Sequence, residues 1–519
     1  MSKKKLIRST GIIGVATSVS KVLGFVRDLI IAHLFGTTMA AQAFIVVFRL
    51  PNMFRMLVGE GASNAALVPI LTEYYTTREK DEYLGLLRAL FIISFFILLT
   101  IAVLGVIASP VIVRLIAPGF IREPEKLRLA IQLNRIVFPY LFFIGFTAFF
   151  MGALNSQGHF TAPAYGPSLL NLSLILSAVL LSPSLGIFSL AIGVIIGGLL
   201  QFSLNFIALY RRGSTFTFRS GCTHPAIPKI GRLLVPRFFG AAVYQVNVFI
   251  DTILASLSWI VGAGGVAGLY YANRMIQFPL SIFGEALAQA ALPKMSQEAS
   301  QGNLDQLKET LLFALKTGFF IMIPATFGYI VLREPIIRTL FERGQFDAYS
   351  TSITENALLF YSFGLFAYCG IKILVNTFFA LHDTVTPVKV AVISVCMNVT
   401  LNLILMWPMK LGGLALATSL SGITQFLILF HLLRKKIRGP GIAEVAEPFL
   451  RITGASVVMA IVCRVMLLCC AIGSEYSSLH NYIQLSMVIA AGVSAFLVAA
   501  LLLGVQEIKG FLTWAFRRR

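Results

Sequence analysis

The chain has 519 residues, of which 57% are hydrophobic and only 12% are charged, and its mean hydropathy is +0.84. Because a soluble domain is nearer 25% charged, this composition excludes a soluble globular protein and indicates a polytopic membrane protein. Short alternating segments do not dominate, so the spans are helices and not barrel strands. The net charge of +20 does not indicate nucleic-acid binding, since membrane proteins concentrate Lys and Arg in their cytoplasmic loops.

Apolar runs between charged or Pro/Gly-rich breaks predict an all-α fold with about fourteen transmembrane helices. The predicted spans are 10–35, 43–75, 84–108, 130–154, 162–182, 186–210, 233–258, 265–293, 311–332, 355–380, 387–407, 411–433, 449–472 and 483–505. The second is long and interrupted. The uncharged run Phe160–Tyr210 is too long for one crossing, so a turn at Ser182–Gly186 is expected to divide it.

The first span contains three charged residues, Lys21, Arg27 and Asp28, in an otherwise apolar run. Each costs roughly 2.5–3.5 kcal/mol at the centre of a membrane helix, so such residues normally face a water-filled cavity or a partner. The alternative is that Arg27 and Asp28 merely neutralise each other. Side chains of adjacent residues leave a helix about 100° apart, however, so the two are not expected to bury against the same neighbour. The first helix is therefore predicted to form one wall of a polar chamber.

The distribution of Lys and Arg predicts that both termini are cytoplasmic. Basic residues precede the first span, fill the connection between spans six and seven, follow span twelve and end the chain. The opposite connections at 36–42, 183–186 and 259–265 carry no charge.

Three sequence matches in order, at nearly one offset, predict an internal duplication. The motif around Arg49 recurs around Arg274, 225 residues later, and the motif that begins at Glu60 recurs at Glu285. Phe150–Leu154 is then echoed by Phe378–Leu381. We expect two six-helix lobes around a central cavity, an N-lobe at 1–212 and a C-lobe at 213–436, with two extra helices at 437–519.

The charges expected to be buried or half-buried concentrate in predicted spans 1, 2, 7, 8 and 10 and are net positive, which favours an anionic ligand between the two halves. Arg suits bidentate phosphate recognition, whereas Lys acts as a point charge. The charged residues are Lys21, Arg27, Asp28, Arg49, Arg55, Glu60, Asp251, Arg274, Glu285 and Lys372. A structural pairing near a helix end stays open for Arg49 and Glu60. Pro51 and Pro279 interrupt corresponding helices of the two repeats, where a bend can serve as a gate.

Enzyme signatures are missing from the sequence, so a carrier fits better than an enzyme. No Gly-rich phosphate loop is followed by Lys-Ser/Thr, and His and Cys residues lack the spacing of a metal site, so no cofactor and no use of ATP are expected. Net transport then needs a membrane potential or an ion gradient, because binding shifts an equilibrium only by differential affinity. Asp251, Glu285 and Lys372 are candidates for ion coupling or gating.

Several motifs together carry a resemblance to a known family. They are Ser20–Asp28, Leu50–Arg55, Glu60–Ala62, Val68–Tyr74, Ala117–Phe120, Tyr270–Arg274 and Asp383–Lys389. In these motifs the chain resembles the MurJ (MviN) lipid II flippases of the multidrug/oligosaccharidyl-lipid/polysaccharide exporter superfamily. Members of that superfamily have two six-helix lobes, which agrees with the internal repeat.

The resemblance implies a function. The expected activity is movement of lipid II, the undecaprenyl-diphosphate-linked precursor of peptidoglycan, from the cytoplasmic to the outer leaflet of the bacterial inner membrane by alternating access. The expected partners are lipid II, membrane lipids and other proteins of peptidoglycan synthesis. In the family, the last two helices form a groove thought to receive the lipid tail.

The resemblance also implies the site residues. The essential charged positions of the family map onto Arg27, Asp28, Arg55 and Arg274, and Lys21 stands where many relatives carry Arg. Two positions depart from the pattern: Gln42 stands where Asp is frequent, and Met56 follows Arg55 where some relatives carry a second Arg.

Two other functions remain open at this point. An exporter of another lipid-linked or amphipathic substrate is expected to have a net acidic or aromatic chamber if its cargo is a cationic drug. A non-transporting scaffold for cell-wall enzymes is expected to tolerate neutralisation of the charges in the chamber.

Overall fold

The computed structural model describes residues 3–56, 63–214, 216, 224–437, 439, 441–469 and 478–508. Throughout these ranges the regular structure is helical, and the chain divides into two compact units. Unit 1 comprises Met1–Leu257 and the short segment Arg343–Phe346, and unit 2 comprises Ser258–Glu342 and Asp347–Arg519.

Unit 1 contains ten α-helices. They are α1 (Lys3–Phe35), α2 (Met39–Phe54), α3 (Ser63–Thr77), α4 (Lys80–Ile107), α5 (Ser109–Ile116), α6 (Pro124–Val137), α7 (Tyr140–Ser156), α8 (Thr161–Leu185), α9 (Phe188–Tyr210) and α10 (Ala226–Ala255), as far as this unit is described. A 3₁₀ turn, Pro118–Arg122, joins α5 to α6. Helix α8 packs along α1 on one side and α9 on the other, and aromatic side chains of α4, α7 and α9 form the core beside them.

Unit 2 contains the remaining described helices. They are α11 (Ser258–Val261), α12 (Gly265–Pro279), α13 (Glu285–Ser300), α14 (Leu304–Phe341), α15 (Ala348–Ser362), α16 (Leu365–Ala380), α17 (Val385–Ile437), α18 (Ile442–Cys469) and α19 (Ser478–Leu502). Helix α14 is central, since it packs against α13, α15, α16, α18 and α19.

The predicted all-α membrane fold is confirmed. Within the described ranges nine helices are long and apolar enough to cross a membrane, or ten if α15 and α16, which meet at a 48° bend, count as one span. Helix α17 supplies two of the predicted spans, because its run of 53 residues is broken at Lys410, where φ is 51° and ψ is −127°. Ser394 donates to the carbonyl of Ser421 across this hairpin, so its two arms lie side by side.

The connection between the third and fourth predicted spans is more ordered than the hydropathy pattern indicates. It forms α5, the 3₁₀ turn and the first part of α6, and α6 and α7 are separated at Phe138 and Pro139. Gly119 in the 3₁₀ turn lies against α10, where a Cβ would come within 1.8 Å of the carbonyl oxygen of Ser256. Short amphipathic helices of this kind carry no long apolar run, so a search for spans passes over them.

Irregular backbone follows a proline at corresponding places of the two predicted repeats. In α2, Pro51 is followed by π-helical backbone at residues 55–56, and in unit 2 Pro279 is followed by a π-helical turn at Leu280–Gly284. The helix through Pro279 still counts as one span, Gly265–Ser300, so the predicted interruption there is a local irregularity within a continuous helix.

The lobe boundary proposed at 212/213 follows from the sequence repeat and stays a prediction. Helix α10, which begins the second repeat, packs against α3, α5 and the 3₁₀ turn, and so belongs to unit 1 by its contacts.

The open end of the α17 hairpin is closed by an ion pair. The carboxylate of Asp383 accepts from the backbone N–H of Thr386 at 3.0 Å, from the Thr386 hydroxyl at 2.8 Å and from Nζ of Lys436. These contacts, the one from Lys436 first, lower the pKa of Asp383 to about 2. Asp383 thus caps the start of the first arm of α17 and pairs with Lys436 at the end of the second arm.

We expect Asp383→Asn to lower the melting temperature at pH 7, because asparagine keeps an acceptor for Thr386 but loses the charge that pairs with Lys436. The folded-state pKa lies below the unfolded value of 3.8, so this stabilisation is present above that value and is lost as the pH falls through about 2. Melting curves of wild type and variant between pH 7 and pH 2 should therefore converge at the acidic end.

Asp347→Asn is the matched control for this prediction. The Asp347 carboxylate caps α15 by accepting from the N–H and hydroxyl of Ser350 at 2.8 and 2.7 Å, and asparagine retains that capping ability. The role given to Lys436 would be contradicted if Asp347→Asn lowered the melting temperature at pH 7 as much as Asp383→Asn does. It would also be contradicted if the melting temperatures of wild type and Asp383→Asn differed equally at every pH.

Candidate functional site

Arg27 and Asp28 are both buried within α1, with 7% and 2% of their surfaces exposed. They pair with each other: Nε and Nη2 of Arg27 donate to Oδ1 of Asp28 at 3.0 and 2.7 Å. The sequence argument against a shared environment is wrong here. The 100° separation applies to the Cβ directions, whereas the long arginine side chain brings its guanidinium round to the neighbouring carboxylate.

The guanidinium of Arg27 has a second anchor on another helix. Its Nη1 donates to Oδ1 of Asn171 on α8 at 2.9 Å. Charge-based sequence reasoning missed Asn171, because it examined only Lys, Arg, Asp and Glu. The signal was available, since an amide side chain inside the apolar run of α8 also has to find hydrogen-bond partners away from water.

The other predicted basic residues of unit 1 occupy more accessible positions. Lys21 lies on an exposed part of α1, two turns before Arg27. Arg55 is half-buried in the π-helical turn after Pro51, and its Nε donates to Oδ1 of Asn52 at 3.2 Å. The break at Pro51 thus determines the backbone from which Arg55 projects.

Arg274 lies on α12 of unit 2 and is half-buried. Its guanidinium carbon lies 4.9 Å from the centroid of the Tyr270 ring, and Nη2 donates to the Tyr270 hydroxyl at 3.1 Å. Residues 270 and 274 are one helical turn apart, so the motif Tyr270–Arg274 places the ring beneath the cation.

The three residues predicted for coupling or gating are divided between the units. Nζ of Lys372 on α16 pairs with Oε1 of Glu285 on α13, and each side chain is about one-third exposed, at 30% and 33%. Asp251 is half-buried on α10 of unit 1. The structure therefore brings Glu285 and Lys372 together.

The two positions that depart from the family pattern have defined environments. Gln42 is buried, donates to the carbonyl of Thr37 at 3.2 Å and accepts from Nζ of Lys126 at 3.1 Å. The buried ammonium of Lys126 also lies 4.3 Å from the centroid of the Phe120 ring. The neutral amide at position 42 is therefore a structural link between α2 and α6.

Met56 and the remaining predicted charges take structural positions or fall outside the described ranges. The Met56 sulfur accepts from Nε2 of Gln245 on α10 at 3.8 Å. Arg49 donates to the carbonyl of Val248 on α10 at 3.2 Å, as expected for a structural contact. Glu60, with the Glu60–Ala62 motif, lies outside the described residues.

Comparisons with known proteins agree over nearly the whole chain. Residues 31–491 match the family model described as "Lipid II flippase MurJ". A protein of Vibrio cholerae named "Probable lipid II flippase MurJ" is 32% identical over 521 residues, which cover 97% of each chain.

Solved structures agree with the sequence comparisons. The structure titled "Lipid II flippase MurJ, inward closed conformation" matches with a TM-score of 0.80 and 28% identity, and the match covers 94% of this chain and 97% of that one. An inward-facing MATE-family transporter of the MOP superfamily matches with a TM-score of 0.68 and 18% identity, over 82% and 98% of the two chains, which supports the shared fold. On the strength of the family model and the curated relative, the chain belongs to the MurJ family of lipid II flippases.

Proposed function

We propose that this chain moves lipid II from the cytoplasmic to the outer leaflet of a bacterial inner membrane by alternating access. The observation that carries the proposal is membership of the MurJ family across residues 31–491. The buried guanidinium of Arg27 in a membrane helix adds a chemical reason, because the diphosphate of lipid II needs a cation away from bulk water.

The charged residues have distinct roles in this proposal. Arg27 and Arg55 of unit 1 hold the diphosphate, with Lys21 as a supporting point charge. Arg274 of unit 2 contributes a further guanidinium, which Tyr270 orients. Asp28 neutralises Arg27 when no ligand is bound and fixes the direction of its Nε and Nη2 groups.

The helix breaks provide places for movement. Arg55 follows the Pro51 break directly, and Arg274 lies a little over one turn before Pro279. Sharp kinks in helices concentrate at prolines and π-bulges, so bending is expected at these segments. We propose that bending at these sites accompanies release of the head group.

The undecaprenyl tail stays in the lipid phase, because an aqueous path would expose a long apolar chain. Helices α18 and α19 supply an apolar surface for it. The exposed residues include Val457, Ile461 and Val465 on α18, and a shallow hollow on α19 is lined by Tyr482, Ile483, Ser486, Met487 and Ala490. We propose that the tail lies along this surface.

The orientation of the chain follows from its basic loops, which place both termini in the cytoplasm. The membrane potential or an ion gradient supplies the driving force, since a carrier without one only equilibrates its substrate between the leaflets. The Glu285–Lys372 pair is the described candidate for sensing that force, and Asp251 is a second, separate candidate on α10.

In cells depleted of their own flippase, we expect wild-type protein to restore lipid II exposure at the outer leaflet. Arg27→Ala and Arg274→Ala should each reduce exposure by roughly 10- to 100-fold, because a charge-assisted hydrogen bond contributes about 1.5–3 kcal/mol. Exposure is measured by cleavage of lipid II with an externally added enzyme, at matched expression.

Arg135→Ala is the control, since Arg135 is an exposed arginine on α6, outside the proposed set. Wild type that is well expressed but inactive would refute the flippase function and favour another substrate. Normal exposure in the Arg27 and Arg274 variants would leave the function but remove these residues from the site.

We expect Lys372→Met to lower both thermal stability and lipid II exposure, because it leaves Glu285 without its cationic partner inside the membrane. The double variant Lys372→Met/Glu285→Gln should regain stability, since no unpaired charge remains. If the pair senses the driving force, exposure by the double variant should no longer respond to collapse of the membrane potential or ion gradient.

Lipid II exposure by wild type and by the double variant, each measured with and without ionophores that collapse the membrane potential or the ion gradients, checks this prediction. A double variant with full, gradient-dependent activity would show that the pair has a purely structural role. Unchanged wild-type transport after removal of every gradient would refute the proposed driving force itself.

A further inference from the structure

Asn171 on α8 is an uncharged residue whose side chain contacts the guanidinium of Arg27. The residue is 8% exposed, and its amide faces α1. Oδ1 accepts from Nη1 of Arg27 at 2.9 Å, while Nδ2 donates to the backbone carbonyl of Ser20 at 2.9 Å and lies 3.4 Å from the Ser20 hydroxyl. A single amide thus links two points of α1 that are seven residues apart.

Asp28 and Asn171 contact different nitrogens of Arg27. Asp28 accepts from Nε and Nη2, and Asn171 accepts from Nη1. A planar group held at three nitrogens by two partners has a fixed position and orientation. Asp28 lies on the same helix as Arg27 and moves with it, so Asn171 provides the contact that fixes the guanidinium relative to α8.

Asparagine is the residue type that this position requires. The side chain needs an acceptor toward Arg27 and a donor toward the Ser20 carbonyl, and a primary amide carries both without a charge. Gly24 lies beneath the amide, where a Cβ would be 3.5 Å from Nδ2, so the side chain rests directly on the helix surface. Aspartate would place an acceptor against the Ser20 carbonyl and add a negative charge beside Arg27.

We propose that Asn171 is a positioning residue for substrate binding, which holds the Arg27 guanidinium in the orientation that receives the diphosphate. This inference rests on the proposed function, because Arg27 is the group that contacts the ligand. Asn171 itself acts through Arg27. Its contribution should therefore disappear when Arg27 is removed.

A double-mutant cycle tests this with purified protein in nanodiscs and two probes, lipid II and undecaprenyl phosphate. Asn171→Leu removes both hydrogen bonds at similar volume and should weaken lipid II binding roughly tenfold. Arg27→Ala should weaken it at least as much. The double variant should bind no more weakly than Arg27→Ala alone.

The two probes separate positioning from a general structural effect. Because the diphosphate is the group that Arg27 receives, Asn171→Leu should reduce the preference for lipid II over the monophosphate lipid. Asn134→Leu is the matched control: Asn134 is a buried asparagine on α6 whose Nδ2 donates to the Ser109 hydroxyl at 2.7 Å. It should leave this preference unchanged.

Asn171→Asp provides a nearly isosteric variant if the leucine variant does not fold. It keeps an acceptor for Arg27 but adds a negative charge, so it should also bind lipid II more weakly. Equal binding by wild type and the Asn171 variants, or additive losses in the cycle, would overturn the positioning role. Failure of wild type to bind lipid II would instead overturn the proposed function.

Discussion

The ion pair between Arg27 and Asp28 is the interaction that allows two charged side chains to be buried within unit 1. A lone charge in a membrane helix is expensive, and removing one partner of a buried pair costs about 3–5 kcal/mol. Two adjacent residues of α1 meet this constraint together, and Asn171 completes it from α8. In the proposed function, this buried and neutralised cation is the group that receives the diphosphate.

The second organising feature is a proline followed by π-helical backbone, which occurs in both repeats. Pro51 in α2 and Pro279 in α12 each lie within five residues of an arginine that we propose for substrate binding. Regular helices hold their side chains in fixed register, whereas such breaks allow the segments on either side to move separately. The proposed binding residues and the proposed bending points are therefore close together in the sequence of each unit.

Hydropathy and charge predicted the helical class and most of the spans, because a bilayer imposes a strict length and polarity on each crossing. Among the described residues, the predicted spans 10–35, 43–75 and 233–258 are not among the helices long and apolar enough to cross a membrane. They did not predict α5 and its 3₁₀ turn, whose burial depends on contacts such as Gly119 with Ser256. The pairing of Arg27 with Asp28 was also wrongly dismissed, since Cβ directions do not determine where a long side chain ends. Asn171 was missed because only charged residues were considered, although an amide inside an apolar run also needs hydrogen-bond partners.

The most direct measurement of the central claim is a structure of the protein with lipid II bound in nanodiscs. The account predicts a phosphate oxygen within about 3 Å of the Arg27 guanidinium, with Oδ1 of Asn171 still accepting from Nη1. A complex in which the diphosphate is well defined but makes no contact with Arg27 would contradict it.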